Sequence, residues 1–174
     1  MHRLLILAPL ALLAAAPAHA GEVFAGLHRH AVNTPLSLNS AEESGVDLSL
    51  GYRFDGIAGT RLQPYVFGAL NSRGDTSYAA AGLSYRLGLG QRLYVRPGVG
   101  LAIHNGSGRD FEVPGNDRIE FGSRVLFEPE LAVGLQATER LGVEASWVHL
   151  SHAQLFGKQN PGIDNIGVRL NWRL

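Results

Sequence analysis

Apolar and polar residues alternate along most of this chain with a period of two, the pattern of strands whose successive side chains project to opposite faces. One run sets Val46, Leu48, Leu50, Tyr52 and Phe54 against Gly45, Asp47, Ser49, Gly51 and Arg53. Another sets Leu93, Val95, Pro97, Val99, Leu101 and Ile103 against Tyr94, Arg96, Gly98, Gly100, Ala102 and His104. A third sets Val125, Phe127, Pro129, Leu131, Val133 and Leu135 against Arg124, Glu128, Glu130, Gly134 and Gln136. Read this way, the chain predicts eight strands near 22–30, 44–54, 61–70, 76–87, 91–104, 121–136, 140–152 and 163–174.

The connections differ by side. Residues 31–43, 105–120 and 153–162 form longer loops on one side, with the short Asn71–Asp75 loop among them. Asp55–Gly59, Gly88–Gly90 and Ala137–Glu139 form tight turns on the other. Continuous aliphatic stripes opposed by Arg, Asp, Glu and Gly suit an eight-stranded antiparallel transmembrane β-barrel, apolar outside and polar within. A soluble binding barrel with its apolar face inward would alternate equally well. The low charge and the unequal loops favour the membrane form. Both chain ends then lie in the periplasm, and strand seven ends at the outer-leaflet rim where strand eight begins. Arg96, Glu128, Glu130 and Arg169, joined by Glu144, are expected to pair inside the lumen. Trp147 and Trp172 are expected to be lipid-facing anchors.

Composition adds an address. Arg3, the apolar run Leu4–Ala16 and Ala18-His19-Ala20 read as the basic, apolar and cleavage regions of a secretory signal peptide over 1–20. The mature barrel would occupy 21–174. Of 15 Lys and Arg, losing Arg3 leaves 14 against 15 Asp and Glu, so the balance implies no nucleic-acid partner. Cysteine is absent, which removes disulfides and thiolate metal sites. After the leader no apolar run reaches the roughly 18 residues of a membrane helix.

Candidate chemistry lies on the last two strands. Leu141, Val143, Ala145, Trp147, His149 and Ser151 share one parity, and Asp164, Ile166, Val168, Leu170 and Trp172 share another. A nucleophile, a base and an acid thus sit at the ends of apolar stripes, and face lipid if the stripes do. His149 and Ser151 are two apart on one face, about 7 Å between Cα atoms. A serine hydroxyl becomes a competent nucleophile when a neighbouring base takes its proton. An acid on the next strand can hold the imidazole in the useful tautomer. His152 has the opposite parity to His149, and no further ligands stand nearby, so no metal is expected; serine–histidine–acid chemistry needs no organic cofactor either.

The run His149-Leu150-Ser151-His152-Ala153, followed by Asn160-Pro161-Gly162-Ile163-Asp164, resembles the carboxy-terminal motif of the PagL family of outer-membrane lipid A 3-O-deacylases. The leader, length and strand count agree, but the specific part of the resemblance is confined to the last thirty or so residues. The resemblance implies an eight-stranded barrel with its site on the outer surface. It assigns Ser151 as nucleophile, His149 as base, Asp164 as acid, and Asn160 as an oxyanion or substrate-orienting donor. Such a donor contributes about 3–4 kcal/mol in the transition state. The chain departs from the family pattern twice. Ser151-His152-Ala153-Gln154 stands where a Ser-Asn-Ala-Gly-like run is common, and the acid is Asp164 where Glu is usual.

The expected function is hydrolysis of the 3-O-linked hydroxyacyl ester of lipid A, with lipopolysaccharide as substrate and outer-membrane lipid as surroundings. The position of the ester comes from the resemblance alone. The alternatives are a non-catalytic structural or adhesive barrel that works through its long loops, and an acyltransferase that uses an acceptor other than water. Self-association into a homodimer is left open.

Overall fold

A computed structural model of the protein describes residues 21–37, 42–110, 118–155 and 160–174; the expected export segment lies outside them. The long strands are β1 (Glu22–Arg29), β2 (Val46–Arg53), β3 (Leu62–Asn71), β4 (Tyr78–Tyr85), β5 (Leu93–His104), β6 (Val125–Gln136), β7 (Leu141–Leu150) and β8 (Ile163–Arg173). Each pairs antiparallel with its sequence neighbour, and β1 pairs with β8, so the sheet closes on itself without an open edge. Leu87–Gly88 continues β4 in the same register, since Ser84 faces Gly98 and Leu87 faces Val95. The gap falls opposite Pro97, which has no N–H to give to the ladder.

Sequence and structure agree closely in these ranges. The largest difference is β6, which begins at Val125 where the alternation suggested 121. Residues 121–124 belong instead to the loop, where Phe121 N–H donates to the Ser107 carbonyl at 3.1 Å.

Alternation alone leaves open which face is inside, and the closed sheet decides it. Leu27, Leu48, Leu70, Leu101 and Leu170 all point outward and are more than half exposed, at 59, 57, 69, 52 and 53 %. An apolar belt of this extent around a barrel matches the hydrocarbon layer and rules out the inward-facing soluble alternative.

The lumen holds the charge. Arg169 Nη2 lies 2.7 Å from Glu130 Oε2, Arg53 Nη2 lies 3.7 Å from Glu130 Oε1, and Arg96 Nε lies 3.3 Å from Glu144. Arg53 and Arg96 both pair with Glu22, and Tyr65 donates to Glu128. Arg53 and Arg169 also sit over the Phe24 ring, at 4.7 and 5.1 Å from its centroid. Of the residues expected to pair, Arg96, Glu130, Arg169 and Glu144 do so, whereas Glu128 is held by the Tyr65 hydroxyl instead of an arginine. Glu22 and Arg53 join them because β1 and β2 curl round to face β5 and β6.

A candidate active site on the outer face of β7 and β8

In an antiparallel hairpin, residues directly opposite bring their Cβ atoms to about 4.5–5.5 Å. His149 and Asp164 are such a pair in the β7–β8 register. His149 Nδ1–H donates to Asp164 Oδ1 at 2.9 Å. This fixes the imidazole tautomer that leaves Nε2 as the acceptor. Both residues lie on the outward parity, in line with Ile166, Val168 and Leu170, yet His149 is only 8 % exposed and Asp164 fully buried. Two elements cover them. Thr34, in the loop after β1, donates to Asp164 Oδ2, and Gly162 passes the edge of the imidazole. A Cβ at Gly162 would lie 2.7 Å from His149 Cε1 and 3.2 Å from Nε2, so the close approach needs glycine.

Ser151 prolongs β7 by one residue beyond its end. It exchanges backbone hydrogen bonds with Phe127 of β6, at 2.7 and 3.2 Å, in the β6–β7 register. Its side chain therefore keeps the parity of His149, on a backbone held by the ladder. Among the described residues no hydrogen bond joins the Ser151 hydroxyl to His149. Asn160 lies near, with its Oδ1 accepting the His152 backbone N–H at 2.8 Å. Its carboxamide thus ties the segment that follows Ser151 to the segment that precedes β8.

Trp147 departs from the expected role. Trp172 is half-exposed at the barrel surface, as a lipid-facing anchor would be, but Trp147 turns to the site. Trp147 Nε1–H donates to Asp164 Oδ1 at 2.6 Å, and its ring stacks on His149 with centroids 6.0 Å apart and planes 29° apart. Shared parity with His149 and a diagonal position to Asp164 are the signals that could have placed it there. Thr34 carried no such signal: it lies 130 residues from Asp164 in a loop.

The departure at Gln154 has a backbone consequence. Ala153 and Gln154 both adopt left-handed conformations, with φ of 52° and 59°. The left-handed region costs an L-residue about 1–2 kcal/mol and glycine almost nothing. Gln154→Gly is therefore expected to raise the unfolding free energy by about 0.5–1 kcal/mol, after allowing for glycine's greater chain entropy. Urea titration of the folded barrel measures this, and an unchanged or lower midpoint would contradict the strain.

Among the described residues no cluster of three or more His, Cys, Asp or Glu is arranged to hold a metal ion.

Comparison with known proteins bears on the family and the fold. The family model described as Lipid A 3-O-deacylase (PagL) matches residues 44–173. The crystal structure of the outer membrane enzyme PagL superposes with a TM-score of 0.60 at 18 % identity, covering 88 % of this chain and 99 % of that one. Neisserial surface protein A superposes with a TM-score of 0.55 at 13 % identity, covering 88 % and 97 %. The Yersinia pestis outer membrane protein Ail gives 0.53 at 9 % identity, covering 90 % and 99 %. At these identities the superpositions speak for the fold alone. No curated protein sequence matches the chain.

Proposed function

The chain belongs to the PagL family of lipid A 3-O-deacylases, and from that premise we propose that it hydrolyses the 3-O-linked hydroxyacyl ester of lipid A with Ser151, His149 and Asp164. The observation that carries this reading is the cross-strand His149–Asp164 pair on the outward face, one step along the same face from Ser151. An acyl chain already in the outer leaflet reaches that face without leaving the bilayer.

In the proposed reaction Ser151 Oγ attacks the ester carbonyl carbon while its proton passes to His149 Nε2. The tetrahedral intermediate collapses with cleavage of the bond to the sugar oxygen, and that oxygen takes the proton from His149. Water then attacks the acyl-Ser151 ester, giving a proton to His149. The hydroxy fatty acid leaves, and Ser151 recovers its proton. The Ser151–His149 hydrogen bond closes as the substrate settles, as often happens in sites that are loose when empty. Asp164 keeps Nδ1 protonated and stabilises the imidazolium. Asn160, anchored through its carbonyl, turns its amide donors to the developing oxyanion. No cofactor takes part.

The same reading makes residues 1–20 a cleaved export signal and the outer membrane the site of action, with the long loops outside the cell. The direct test is mass spectrometry of lipid A from cells that express the chain. Lipid A lacking one hydroxyacyl mass is the expected product. Unmodified lipid A in cells whose outer membrane contains the folded barrel would count against deacylation.

A further inference from the structure

The loop after β1 lies across the start of β8 and is stitched to it. Val32 N–H donates to the Asp164 carbonyl at 2.7 Å, and Ala31 N–H to Asn165 Oδ1 at 3.0 Å. Ser37 donates to the Gly162 carbonyl, and Thr34 to Asp164 Oδ2. The segment holds its own shape, because Thr34 and Ser37 exchange backbone hydrogen bonds at 2.8 and 3.2 Å. Leu36 N–H donates to Thr34 Oγ1 at 3.0 Å. A hydroxyl has a single proton, so an oxygen that accepts from Leu36 still has that proton to direct at Asp164.

The stems of this strap are tied inside the barrel mouth. His30, one residue past β1, donates from Nδ1 to Asp47 at 2.9 Å and from Nε2 to Glu43 at 3.0 Å. Two donating ring nitrogens make it an imidazolium. Burial opposes that charge, but the hydrogen bonds and charges of Asp47 and Glu43 outweigh it and raise the His30 pKa to about 9. Glu43 in turn accepts from Thr76 N–H and Oγ1, both at 3.0 Å, and from Ile119 N–H at 3.2 Å. The second and third outer loops thus brace the first, and the strap is built in at neutral pH.

The two oxygens of Asp164 have separate duties. Oδ1 serves His149 and Trp147, and Oδ2 serves Thr34. The terminal torsion of an aspartate is broad and roughly two-fold, so donors on one oxygen alone leave the carboxylate plane loosely set. We propose that Thr34 is a positioning residue for the reaction: its hydroxyl, carried by the strap, sets the plane of the Asp164 carboxylate and so keeps His149 aimed at Ser151. The inference rests on the deacylase reading of the site. It makes the first outer loop part of the machinery and gives the acid a partner from the far end of the chain.

The test compares Thr34→Val, which keeps the shape and loses the hydroxyl, with Thr34→Ser, which restores it. The full-length chain is folded in detergent and assayed on purified lipid A. Thr34→Val is expected to lower kcat by about 10- to 100-fold with KM nearly unchanged, the scale of a misplaced reacting group. Thr34→Ser returns most of the activity. Wild-type kcat in Thr34→Val, or equal impairment in both variants, overturns the proposal, because either result makes the hydroxyl irrelevant. A second readout needs no turnover: solvent exchange of the His149 Nδ1 proton, followed by NMR on protein labelled with 15N-histidine. Exchange is expected to quicken in Thr34→Val and to stay slow in wild type and Thr34→Ser. Unaltered exchange in Thr34→Val overturns the positioning role even if the wild-type chain fails to deacylate lipid A. That failure by itself would overturn only the deacylase reading.

Discussion

Ser151→Ala is expected to reduce release of the hydroxyacyl chain by about 10³- to 10⁶-fold, the range seen when a serine nucleophile is removed and only binding and oxyanion contacts remain. The barrel should survive the change intact. Ser151 stands past the end of β7, holds Phe127 through backbone bonds that alanine keeps, and contributes nothing to the ion pairs of the lumen. Two measurements check the prediction together. Initial rates on purified lipid A, read by mass spectrometry, report the chemistry, and the heat-dependent gel shift of folded barrels reports the fold. Residual activity above about one per cent of wild type in a folded variant would remove Ser151 from the nucleophile's role, since the proposed range lies well below that.

The second large effect concerns stability. Glu130 faces Arg169 at 2.7 Å and Arg53 at 3.7 Å, with all three side chains almost wholly buried. Deleting one partner of such a group strands a buried charge, and Glu130→Ala is expected to destabilise the barrel by about 3–5 kcal/mol. Replacing Glu130 and Arg169 together by leucine and methionine should recover much of that loss, because the desolvation of both ions disappears with them. Equilibrium unfolding in urea, with the barrel in lipid vesicles, distinguishes the cases. A Glu130→Ala barrel within about 1 kcal/mol of wild type would show that water or neighbouring groups already compensate the charge.

Strand positions were legible because a strand's two faces are written locally, residue by residue. His149 and Ser151 could be placed on one face for the same reason: they belong to a single run. Asp164 followed almost as directly, since a hairpin returns the chain beside itself and puts it opposite His149. For Trp147 parity gives the face but not the role, because it does not show which way a large ring leans. Gln154 stands where the family pattern suggests glycine, and only the structure shows that its backbone is left-handed, with φ of 59°.

By itself, then, the sequence determined the alternation, the count and approximate ends of the strands, and the local company of His149, Ser151 and Asp164. Tertiary structure alone decided the rest. Closure of β1 on β8 turned the apolar face outward and gathered Glu22 and Arg53 into the lumen, and it brought Thr34 to Asp164 across 130 residues. The physical reason is range. Side-chain parity and hairpin register arise between neighbours in the chain, but a loop's contacts depend on where a closed sheet delivers its two ends.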